Sequence, residues 1–157
     1  MLRSALAAFP AALLLIAPAA AQFGAKRSDI ETSFPKIAQG RVSLLGCGVP
    51  KENLALEACA FDAGEGVAVS FMFDAEKKTF KSVGIFFPED KAQLGSEIAM
   101  LALKAARYTN AQKVDFSKIM QRATPTGFEA VLPGNVYLIA RKLPPNLYTF
   151  GFLPNPK

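Results

Sequence analysis

Cys47 and Cys59 are the residues of this chain best suited to chemistry, and its 157 residues contain no histidine to work beside them. Their C-x11-C spacing is not the C-x-x-C of a thiol–disulfide exchange centre. A structural zinc site would need a second cysteine pair or histidines. In an oxidising compartment, two cysteines in a small domain pair with each other. A Cys47–Cys59 disulfide is therefore expected, and closing a loop of that size contributes about 3 kcal/mol. The missing histidine removes the commonest general base near neutral pH. It also removes Ser-His-Asp and Cys-His catalysis and the ordinary zinc-hydrolase sites. No catalytic residue, metal ligand or cofactor is assigned from the sequence.

Carboxylate pairs are the remaining route to catalysis, since two of them can serve a glycosidase-like mechanism. Asp62 with Glu65 and Glu89 with Asp90 are the candidates. The first pair falls in a turn and the second at a helix start, where such residues are expected for structural reasons. Ser117-Lys118 reads as the first turn of a helix rather than a Ser-Lys dyad. The glycines at 46 and 48, or 64 and 66, lack the surroundings of a phosphate-binding loop. The run from Asp62 to Glu65 lacks the ligand ladder of a calcium loop.

The start of the chain reads as an export signal. Arg3 supplies a positive n-region, Leu6 to Ala17 an apolar h-region, and Ala19-Ala20-Ala21 an A-x-A cleavage site. Cleavage is expected between Ala21 and Gln22. The apolar stretch is shorter than the ~20 residues a spanning helix needs, and prolines lie at both of its ends. No integral membrane segment is expected after cleavage. Leu44-Leu45-Gly46-Cys47 looks like a lipid-attachment box but lies far beyond the apolar run, so it is read as an ordinary buried segment.

Removing 21 of the 157 residues leaves 136, enough for one domain with a real core. Loss of Arg3 takes the net charge from +5 to +4. The basic residues are scattered, without the clustered footprint of nucleic-acid binding, so no nucleic-acid partner is expected.

The elements that must position these residues follow from periodicity and turn chemistry. Residues 22–28 read as a flexible lead-in. Ile30, Phe34, Ile37 and Ala38 recur at helical spacing, predicting a helix over 29–39. Residues 42–50 suggest no element. Leu54–Phe61, Val67–Phe73 and Lys81–Phe87 read as three strands of an antiparallel meander. After Pro88, the residues Leu94, Ile98, Leu101, Ala105 and Tyr108 form one helical face, with Met100 and Leu103 on the other side. Asp115 is placed to cap a short helix running to about Ala123. Phe128–Leu132, Val136–Arg141 and Leu147–Leu153 form a second meander, whose last strand is read as a sheet edge. Residues 154–157 are a loose tail.

The expected fold is α+β in two layers: an antiparallel sheet of two three-stranded meanders, with one long helix and one or two short ones packed on it. Residues 29–153 form the single globular domain. Phe86 and Phe87 are adjacent, so they point to opposite faces. One belongs to the core, and the other needs a cover, for which the helices are the expected source.

Function is expected to be non-enzymatic: a small exported protein, periplasmic or secreted, that binds an envelope protein or polymer. Two alternatives stand beside it. A carboxylate-dependent hydrolase acting on envelope polymer needs two carboxylates facing each other across a cleft, one of them largely buried. A small-lipophile carrier needs a closed apolar cavity between the sheet and the long helix.

Overall fold

Strict alternation of side chains gives this protein a sheet with one deeply buried face. A computed structural model describes residues 23–155. The expected signal and its Ala21/Gln22 cleavage point lie outside the described residues, as do the last two residues of the tail.

Seven strands form one antiparallel sheet in the order β1-β2-β3-β4-β7-β6-β5. They are β1 (Ser43–Gly48), β2 (Leu56–Asp62), β3 (Ala68–Asp74), β4 (Phe80–Pro88), β5 (Phe128–Leu132), β6 (Val136–Leu143) and β7 (Leu147–Pro154). In β3, Val69, Phe71 and Phe73 point inward and are buried, while Ala68, Ser70 and Met72 point outward. β4 carries Phe80 and Val83 on the same inner side, three positions apart, which strict alternation forbids. A β-bulge resolves the conflict: Phe73 pairs with Phe80 but Met72 with Ser82, leaving Lys81 as the extra residue.

Three expectations about the sheet are corrected. The segment 42–50 is not structureless, because β1 pairs with β2 through it. Nor is it an ordinary buried segment: β1 is a sheet edge, and Leu45, the extra residue of a second bulge, is 69% exposed. The last strand is not an edge either. β7 lies between β4 and β6, where Ile85 pairs with Phe150 and Phe87 with Tyr148. This pairing joins the two meanders into one sheet and continues the inner apolar face across their boundary. The edges are β1 and β5.

Three helices cover the inner face: α1 (Arg27–Ile37), α2 (Ala92–Ala105) and α3 (Phe116–Arg122). α1 starts two residues earlier than expected, and the segment before it is not free. Phe23 is buried and stacks on Phe80 with ring centroids 4.5 Å apart. Phe34 of α1 makes edge contacts with Phe61 and Phe71 at 5.0 and 5.2 Å. Asp115 caps α3 as expected, accepting a hydrogen bond from the Lys118 amide at 3.0 Å. Phe116 then docks on Phe150 and Phe152.

α2 is rotated relative to the expected stripe. Gly95, Ile98, Ala99, Ala102 and Leu103 are buried, whereas Leu94 and Leu101 are only half-buried at the margins. The small residues explain the rotation. They let the helix backbone approach the sheet, where a leucine would hold it away. Leu103 is therefore core, and α1 packs against α2.

Candidate functional site

The two cysteines are bridged, and they sit directly opposite each other in the β1–β2 register. Beside them is a charge cluster that periodicity could not reveal. Glu57 interrupts an otherwise apolar strand and points inward, only 6% exposed. Its carboxylate pairs with the Arg27 guanidinium, and through Oε2 with Lys78 Nζ at 2.8 Å. Arg27 Nε also donates to Glu31 Oε1 at 2.8 Å. That hydrogen bond raises the Arg27 pKa further above its ordinary range. Glu31 Oε1 in turn lies 3.0 Å from Cys47 Sγ.

This cluster is neutral overall, with two cations and two carboxylates. Glu31, Cys47 and Cys59 lie close enough together to share an ion. Bridged sulfurs have no thiolate to donate, however, and Arg27 already occupies the glutamate. Glu31 and Glu57 are two carboxylates that share Arg27 as a partner. Arg27 joins them where a cleft would have to separate them. The arrangement ties the first turn of α1 to β2 and to the β3–β4 turn.

The carboxylates singled out from the sequence do not converge. Asp62 accepts a hydrogen bond from the Gly64 amide at 3.1 Å within the β2–β3 turn, and Glu65 pairs with Lys91. Glu89 pairs with Lys142 across to β6, while Asp90 is exposed. Ser117 and Lys118 lie on the first turn of α3, with Lys118 Nζ 3.9 Å from Asp115.

Two surfaces have a different character. The first is the outer face of the sheet, which no helix among the described residues covers. Across it the register aligns Gly46, Ala60, Ser70, Gly84, Gly151 and Ile139 in one row. The next row runs Asp62, Ala68, Phe86, Thr149, Arg141, with a charge at each end and none between. The solvated face of an antiparallel sheet is ordinarily polar. Here the middle of the four central strands carries no charge, and Phe86 stands 40% exposed. Phe87 is fully buried, so the adjacent pair divides as expected, but the helices do not supply the cover for Phe86. The outward residues of β2, β3 and β4 were readable as a low-charge set; the alternation that identifies the core also identifies them.

The second surface is a groove of about 240 Å³ between α3 and the inner side of β5. Phe128, Ala130 and Leu132 line one side, and Ile119 and Val114 the other. The Tyr108 hydroxyl donates to the Pro133 carbonyl at 2.7 Å at one end. Burial of that ring raises the phenol pKa. By contrast, the layer between the sheet and α2 is packed, with Gly95 against the Phe87 ring. A carrier would need a closed cavity at this contact, where a Cβ on Gly95 would stand 2.3 Å from the Phe87 ring.

No protein family, curated protein or solved structure matches the chain.

Proposed function

We propose that this is a non-enzymatic interaction protein of the cell envelope, exported through its N-terminal signal, whose uncovered sheet face takes a protein or polymer partner. The observation that carries the reading is the outer face of β2, β3, β4 and β7, which is broad, low in charge and centred on exposed Phe86. A patch of this kind on a small protein marks an interaction surface. The sheet is stiffened for the task by a packed core on one side and by the Cys47–Cys59 bridge near one edge. That bridge accords with an oxidising compartment. No helix among the described residues is long and apolar enough to cross a membrane.

The test is site-specific photo-crosslinking in the producing cell. A photoreactive side chain at Phe86 or Thr149 is expected to give a discrete adduct, and one at Gln93 on the helical side none. Phe86→Asp, carried with the crosslinker at Thr149, is expected to remove the adduct while leaving the fold intact, because the position is at the surface. Equal labelling from Gln93 and from Thr149, or no adduct from the sheet face, would overturn the proposal. The hydrolase reading has no carboxylate geometry to support it.

A further inference from the structure

The groove beside β5 exists because α3 is short. Its seven residues dock through Phe116 onto Phe150 and Phe152 of β7. The inward residues of β6 and β7 are consequently buried, apart from the strand ends. Phe128, Ala130 and Leu132 point the same way from β5 but are only half-buried. This strip is the part of the inner sheet face that the helices leave open. Its side chains are apolar, so filling it removes apolar surface from water, a gain of roughly 25 cal/mol per Å².

The charges around the opening are one-sided. Lys113, Lys118 and Arg122 reach it, against the single carboxylate of Asp115. Asp115 is already engaged, capping α3 and lying 3.9 Å from Lys118 Nζ. Lys118 and Arg122 are four residues apart and share one side of the helix. The Arg122 guanidinium lies 4.2 Å above the Phe128 ring, so positive charge stands directly over the apolar strip. Among the described residues, neither Lys113 nor Arg122 makes an ion pair with a carboxylate. Glu129, on the same strand, points to the outer face and bonds Tyr137 instead.

We infer that this groove binds a free single-chain amphiphile with an anionic head. The chain lies along Phe128, Ala130 and Leu132, and the head meets Lys113, Lys118 and Arg122. The volume, about 240 Å³, falls just below the roughly 300–1,000 Å³ of sites for drug-sized ligands. One unbranched chain suits it better than a fused ring system. The site lies on the opposite side of the sheet from Phe86, and neither proposal depends on the other.

Decanoate is the probe, with decanol, decyltrimethylammonium and inorganic phosphate as comparisons, each titrated into the isotopically labelled mature protein and followed by amide NMR. Decanoate is expected to saturate at or below about 1 mM and to shift the amides of Ile119, Ala130 and Leu132. Decanol should bind about tenfold more weakly, the factor that three modest rim charges together supply. Phosphate alone should not saturate, which separates a chain-dependent site from a simple anion site. The triple variant Lys113→Gln/Lys118→Gln/Arg122→Gln changes only exposed residues, so it should fold and bind decanoate no better than decanol. Ala130→Phe should block both ligands. Equal affinity for decanoate and decanol, undiminished decanoate binding by the triple variant, saturable phosphate binding, shifts confined to the Phe86 face, or no saturation would each overturn the inference.

Discussion

Gly95 packs directly against the ring of Phe87: a Cβ on the glycine would stand 2.3 Å from the ring's Cγ. This contact sets the distance between α2 and β4 at the centre of the protein. It also explains why a glycine sits in the first half of a helix, where it costs about 1 kcal/mol relative to alanine. Phe87 is fully buried and in edge contact with Phe150, so it has no room to retreat.

Gly95→Ala should therefore destabilise the protein in spite of the better helix propensity. Overpacking in a filled core costs about 1–3 kcal/mol, against a propensity gain of about 1 kcal/mol. A lower urea midpoint at unchanged slope would show it. A rise in stability would mean that α2 is free to lift from the sheet.

Glu57 makes a second prediction, which turns on which partner is removed. The glutamate is buried, while Arg27 and Lys78 both reach solvent. Glu57→Gln leaves two cations that water can hydrate, so its cost should be modest. Arg27→Ala with Lys78→Ala leaves a buried carboxylate without a cation, a fault that costs about 3–5 kcal/mol. Denaturant unfolding of the two variants should rank them in that order. Adding Glu57→Gln to the double variant should recover part of the loss.

Asp74 gives the clearest dependence on pH. Its carboxylate accepts hydrogen bonds from the amides of Lys77 at 2.8 Å and Glu76 at 3.1 Å in the β3–β4 turn. The bond from Lys77 contributes most to holding its pKa below the ordinary 3.8. A pKa lowered by folding means that the unfolded chain binds the proton more readily. Stability from this group is thus fully present above the ordinary value and is lost as the pH falls through the lower folded value. Asp74→Asn should flatten that acid limb relative to the wild type and leave the dependence near neutral pH unchanged. Unfolding curves collected across the acid range would check it, and an unaltered limb would count against the turn contribution.

Local order in this chain was legible to the extent that it is written locally. Val69, Phe71 and Phe73 declare a strand with one buried face, and Asp115 declares the start of α3. Cys47 had only Cys59 as a partner. The unpredicted features all depend on residues far apart in the chain. Leu45 is exposed because β1 has a neighbour on one side alone, which nothing in Ser43–Gly48 states. β7 is central because its inner row, Tyr148, Phe150 and Phe152, continues that of β4, and a strand's own alternation does not choose its neighbour.

By itself, the sequence determined the inward row of β3, the cap that starts α3, that the cysteines would pair, and that histidine chemistry is absent. Those properties follow from the period of the backbone and from residue type. Only the tertiary structure decided that Glu57 would be neutralised by Arg27 and Lys78, that Phe86 would stay uncovered, and that the inner strip of β5 would be left only half-buried. Each of these depends on how far one element reaches over another, a distance fixed when the layers pack and not by periodicity within either one. The bridge between Cys47 and Cys59 belongs to both accounts: composition supplied the pair, and the β1–β2 register set them face to face.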